Sequence, residues 1–188
     1  MKKKVSLVVP VFNEEDNLHE FYKHATAVMQ QEAYDYNIIF VDDGSRDTSA
    51  LILAELAAQD EHVEAYLLSR NYGHQMALTC GLDHADGDAV ITMDGDLQHP
   101  PELIPELLRL WEAGNEIVQT KRMATEDAVL PHNMDTPTSV RSSKTKIDFH
   151  ILHIHKIRTL LCHPVHNTLF QPHFFLGNFH LYDLDINI

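Results

Sequence analysis

A chain of 188 residues, 44% hydrophobic and 22% charged, carries enough apolar material for one ordinary domain with a sizeable core and falls outside the disordered class. Its formal net charge of −14 excludes a nucleic-acid surface, which needs clustered Lys and Arg, but not a phosphate-bearing ligand brought in with a metal. Cys80 and Cys162 stand far apart without CxxC spacing, which suits a reducing cytosol and excludes a disulfide framework.

The opening text, MKKKVSLVVPVFNEE, has the outline of a signal peptide, but its apolar run is short, is broken by Pro10 and passes straight into acids. No stretch approaches ~20 uninterrupted apolar residues, so no membrane span is expected. VSLVVPVF (Val5–Phe12) has a buried-strand pattern, and Glu14–Gln31 then shows helical spacing through Leu18, Phe21, Tyr22, Ala25 and Val28. YNIIFVDD is a second strand and RDTSALILAELAAQ a second helix. VEAYLLS is a third strand, followed by a helix over about Gly73 to His84. DAVITMD is a fourth strand. PELIPELLRLWEAG is a fourth helix, with Pro101 suited to its first turn and Gly114 to its end. NEIVQTK is a fifth strand. Such alternation implies an α/β fold, a mainly parallel sheet flanked by helices.

Beyond Met123 the pattern changes. Eight of the 14 histidines fall from His132 onward, and only Asp135, Asp148, Asp183 and Asp185 of the 28 acids lie past residue 129. The boundary is therefore set at 1–122 for the core and 123–188 for an atypical His-rich tail. Runs such as TLLCHPVHNTLF and PHFFLGNFHLYDLDINI could form edge strands. Two readings stay open: a small β subdomain, or a frame-shifted or truncated, poorly ordered end. His150, His153 and His155 have no second pair of ligands and make a poor zinc site.

Ligands of open parallel sheets sit outside the carboxyl ends of the strands. Here five polar clusters fall at such ends: NEE, DDGSRD, RNYGHQ, DGDLQH and KR. In the extended DGDLQH segment, Asp94 and Asp96 point to one side with Gln98 within reach, a hard-oxygen set for Mg²⁺ or Mn²⁺ that leaves room for diphosphate oxygens. Asp42 and Asp43 either accept hydrogen bonds from a ribose or base or serve the turn through Gly44, while Ser45 or Asp47 can cap the next helix. Arg70, Asn71 and His74 either touch sugar and phosphate or cap a helix. Lys121 and Arg122 supply positive charge for phosphate. The first strand–helix junction reads PVFNEE, without the GxGxxG of dinucleotide folds, and no P-loop is present.

The segments VSLVVPVFNEEDNL, VDDGSRDTS, LSRNYGHQMALTCGLDHADGD, DGDLQHPPELIPELL and IVQTKR together resemble the family-2 glycosyltransferases of GT-A fold over residues 4 to 122. The subgroup most resembled contains dolichyl-phosphate mannose synthases and bactoprenol glucosyltransferases. That resemblance implies a nucleotide-sugar donor of the UDP-glucose or GDP-mannose type, with Pro10, Val11, Asn13 and Glu15 lining the nucleoside pocket. It further implies Asp42 at the base and Asp94 at the ribose and phosphate. Asp96, the catalytic candidate, and Gln98 would hold the metal, with Asp94 sharing it. Arg122 would stabilise the leaving diphosphate while a polyprenyl phosphate attacks the anomeric carbon with inversion. A cytoplasmic enzyme, peripheral at the inner face of the plasma membrane, is the expected setting. From VLPHNMDTPTSVRSSKTKIDFH onward the family's acceptor-side pattern is missing, so a non-catalytic nucleotide-sugar-binding remnant is the alternative expectation.

Overall fold

The computed structural model describes residues 2–97, 100–122, 147–153 and 181–186. Seven strands form one sheet: β1 (Lys4–Val11), β2 (Asp35–Asp42), β3 (Val63–Leu67), β4 (Ala89–Thr92), β5 (Ile117–Arg122), β6 (Ile147–His153) and β7 (Leu181–Ile186). Their spatial order is β3-β2-β1-β4-β6-β5-β7. Pairings β1–β2, β1–β4, β2–β3 and β5–β7 are parallel, whereas β6 runs antiparallel to both β4 and β5. Six strands therefore point one way, and their carboxyl ends share one edge.

The helices are α1 (Leu18–Met29), α2 (Ser49–Gln59), α3 (His74–His84) and α4 (Ile104–Glu112), the last preceded by a 3₁₀ turn over Pro101–Leu103. β1, β2 and β4 are mostly apolar because both faces of the sheet are covered. On one face Leu7, Val9, Ile38, Phe40 and Ile91 pack with Phe21, Leu53, Ile104 and Leu107 from α1, α2 and α4. On the other, Val8, Ile39, Val41 and Val90 pack with Ala77, Leu78 and Leu82 of α3. Each such large side chain, wholly buried, contributes roughly 1.5–3 kcal/mol. Phe21 meets Phe40 edge to face, with ring centroids 6.1 Å apart. A side chain at Gly81 would place its Cβ 2.3 Å from Val8 Cγ1, so the glycine is what lets α3 lie directly on β1.

The starts of the first two helices differ from those read in the sequence, each for a local reason. The first helix starts at Leu18 and not at Glu14, because the main-chain N–H groups of Asn17 and Leu18 both donate to the Glu14 carbonyl, at 3.0 and 3.1 Å, in a preceding turn. The second starts at Ser49, whose N–H donates to Asp47 Oδ1 at 3.0 Å. In the sheet, β4 and β5 are not neighbours. β6 pairs antiparallel with both and fills the place between them. β7 lies within the second of the two apolar runs of the tail and at the sheet edge. The expectations for residues 123–146, 154–180 and 187–188 lie outside the described residues.

Candidate functional site

Four strand–helix junctions meet at the carboxyl edge, and the sequence ties them together before it builds a cavity. The first junction (residues 12–17) and second (43–48) exchange side-chain bonds with each other's main chain. Asn13 N–H donates to Ser45 Oγ at 2.9 Å, while Arg46 N–H donates to Asn13 Oδ1 at 2.8 Å. Asn13 holds the left-handed conformation, φ 55°, which its short polar side chain tolerates. Glu14 N–H donates to Ser49 Oγ at 2.9 Å and Glu15 N–H to Asp47 Oδ2 at 3.2 Å. Glu15 Oε2 in turn accepts from the Thr48 N–H at 2.8 Å and the Thr48 hydroxyl at 2.6 Å. Burial pushes Asp47 up, but hydrogen bonds from the Ser49 hydroxyl, the Ser49 N–H and the Glu15 N–H outweigh it and hold the carboxyl below its ordinary range.

The second junction grips the third (68–73) in the same manner. Asp43, only 3% exposed, accepts from Tyr72 N–H at 2.7 Å through Oδ1 and from Gly73 N–H at 2.9 Å through Oδ2. Gly44 has φ +70°, and a Cβ there would sit 2.4 Å from the Arg70 carbonyl carbon. Asp42, 2% exposed, spends its carboxylate on the Ser45 N–H of its own turn, at 3.2 and 3.3 Å.

Above these turns lies a cavity of about 260 Å³. Pro10, Val11, Phe12 and Glu14 line it from the end of β1, Asp43 from β2, Asn71 and His74 from the third junction, and Asp94, Gly95 and Asp96 from the end of β4. His74 opens α3, and its Nε2 is 3.9 Å from Asp94 Oδ1. Directly after Asp96, Leu97 adopts φ 58° and packs against the core beneath. A second hollow, of about 430 Å³, lies between α1 and the start of α4, lined by Lys23, His24, Glu102 and Pro105 among others, and gathers no strand-end acids.

Of the residues expected at a site, the cavity gathers Pro10, Val11, Asp43, Asn71, His74, Asp94 and Asp96. Asn13, Glu15 and Asp42 are not on its wall and serve the bonds between and within the turns. Arg70 is also off the wall and lays its guanidinium over the Tyr72 ring, 4.7 Å from the centroid. The bond to Ser69 and the nearby Arg70 charge both lower the Tyr72 phenol from its ordinary range. Lys121 and Arg122 close β5 itself rather than following it, and Gln98 lies outside the described residues. Phe12, Glu14 and Gly95 were not anticipated as lining residues. Phe12 carried a signal, an aromatic closing a buried-strand pattern exactly where the chain leaves the sheet; at 41% exposure it stands at the cavity instead of in the core.

Known proteins resemble this chain in sequence and in fold. The model of the family described as glycosyl transferase family 2 matches residues 6–183. An undecaprenyl-phosphate 4-deoxy-4-formamido-L-arabinose transferase from Pseudomonas fluorescens is 47% identical over 125 residues, 66% of this chain and 37% of that protein. A bactoprenol glucosyl transferase from Shigella phage SfV is 47% identical over 119 residues, 63% of this chain and 38% of that protein. The chain thus spans under two fifths of the length of either relative. The solved mannosyltransferase PcManGT from Pyrobaculum calidifontis, in complex with GDP-Man and Mn²⁺, shares the fold with a TM-score of 0.54 and 19% identity, over 65% of this chain and 36% of that one.

Proposed function

The chain belongs to glycosyl transferase family 2, and from that premise we propose that its cavity takes the donor, a nucleotide sugar of the UDP-glucose or GDP-mannose kind, for inverting transfer to a polyprenyl phosphate. The observation that carries this reading is the convergence of four strand ends on one cavity with Asp94 and Asp96 on its wall. Both relatives named above are, by their names, sugar transferases of polyprenyl carriers. In this reading residues 1–122 form the donor-binding core.

Pro10 and Val11 make the nucleoside wall, and Asp42 and Asp43 hold the turns around it. Asn71 and His74 face the sugar and diphosphate from the other wall, and Arg122 meets the leaving diphosphate. The donor set fits a hard divalent cation, Mg²⁺ or Mn²⁺. Asp94 and Asp96 bring two carboxylates to one cavity. Open positions for diphosphate oxygens suit such an ion. Asp96, Asp94 and Gln98 would hold it. When bound, it neutralises charge on the departing nucleoside diphosphate. The acceptor phosphate, with a second pKa of about 6, is largely ionised near neutrality and needs little help from a general base. No helix among the described residues is long and apolar enough to cross a membrane; the acceptor is met at the membrane surface, at the inner face of the plasma membrane.

Titration calorimetry with UDP and GDP, with and without Mn²⁺, tests the donor site. Mn²⁺-dependent binding by the native chain is expected, and its loss in Asp96→Ala; an unchanged affinity in that variant removes the assignment. Incubation with donor and a polyprenyl phosphate tests turnover. Release of nucleoside diphosphate supports transfer, donor binding without consumption favours the non-catalytic alternative, and pyrophosphate release would make the chemistry nucleotidyl transfer.

A further inference from the structure

Asp43 lies at the cavity, where an acid invites assignment to the donor, yet both of its oxygens already accept main-chain N–H groups, from Tyr72 at 2.7 Å and Gly73 at 2.9 Å. The same turn presses on the third junction sterically. Gly44 leaves no room for a side chain, since its Cβ would lie 2.4 Å from the Arg70 carbonyl carbon and 2.6 Å from the Asn71 nitrogen. The main chain also joins the two strands here, through Leu68 N–H donating to the Asp42 carbonyl at 2.9 Å. Asn71 and His74, which flank the two gripped amides, form the cavity wall that stands with Asp94.

We propose that Asp43 is a positioning residue: its carboxylate, with Gly44 beside it, clamps the third junction so that Asn71 and His74 are fixed on the donor cavity. The proposal rests on the donor reading of that cavity. Its physical basis is the arithmetic of acceptors. A buried carboxylate bonded to two N–H groups satisfies both donors with one rigid side chain, and a bond to a charged acceptor is stronger than a neutral one. An asparagine in its place offers one oxygen, and its amide NH₂ meets the remaining N–H donor to donor.

Hydrogen exchange measured on the full chain tests the clamp without any ligand. In the native protein the Tyr72 and Gly73 amides are expected to exchange more slowly than the other amides of residues 69–73. In Asp43→Asn they are expected to speed up about tenfold or more, while β1 and β2 amides keep their protection. Comparable exchange across that loop in the native chain overturns the clamp, and this measurement stands even where the variant does not fold. Binding of UDP and GDP with Mn²⁺ then separates positioning from contact. The losses caused by Asp43→Asn and Asn71→Ala, each about tenfold, are expected to overlap in the double variant, because both act through the same wall. Losses that multiply fully would make Asp43 an independent contact and overturn its positioning role. A native chain that binds neither nucleotide sinks the donor reading, and the exchange data still decide whether the clamp exists.

Discussion

The carboxyl ends of β2 and β4 are both acidic and both follow buried strands, but they meet the cavity differently. At β2 the acids are spent on the chain itself: Asp42 on Ser45, Asp43 on Tyr72 and Gly73, Asp47 on Glu15 and Ser49. At β4, Asp94 and Asp96 flank Gly95 on the wall of the cavity. The difference teaches that carboxylates at a strand end are not interchangeable evidence of a ligand. An acid followed by a turn and a helix start has N–H groups within reach and fastens loops; Asp94 and Asp96 lie in the turn after β4, not on the extended segment read from the sequence, and still reach the cavity wall.

That contrast can be broken at either end. The largest effect is expected at β4, where Asp96→Ala should lower Mn²⁺-dependent UDP or GDP affinity at least about 100-fold by calorimetry, with the melting temperature little changed. A melting temperature lowered as far as by changes at β2 would erase the distinction. At β2, Gly44→Ala should cost about 2–4 kcal/mol of stability in urea, since it adds a left-handed backbone penalty to a steric clash. Smaller is Ser49→Ala, expected at about 1–2 kcal/mol in the same assay, because buried Ser49 Oγ is the acceptor for Glu14 N–H. Smallest is a pH effect at Asp47. Its folded pKa is depressed, so its stabilisation is full above the unfolded value of about 3.9 and is lost as pH falls through the folded value. The stability gap between the native chain and Asp47→Asn should be constant near neutrality and shrink in acid. A gap that persists unchanged at the lowest pH where the protein still folds would contradict it.

The first five strands and four helices were legible because their periodicity is local: apolar runs such as LVVPV and IIFV for strands covered on both faces, and Leu18, Phe21 and Ala25 for a helix covered on one. The convergence of strand ends followed from the parallel sheet alone. What the text could not reveal is pairing at a distance. Asn13 reads as a pocket residue until Arg46, 33 positions away, is seen to donate to it, and Glu15 until Thr48 does. Asp42 and Asp43 are adjacent in sequence but face different partners, which depends on the third junction. The place of β6 is the same problem on a larger scale, since nothing within Ile147–His153 states that Thr92 and Gln119 will flank His150.

The insertion of β6 also has a consequence for synthesis. When the first 122 residues have left the ribosome, β4 is hydrogen-bonded to β1 on one side only, and the strand that completes it, beginning at Ile147, is still to be made. During that interval the largely apolar AVIT edge offers open amides and carbonyls to any passing chain. The antiparallel strand, once made, seals that gap.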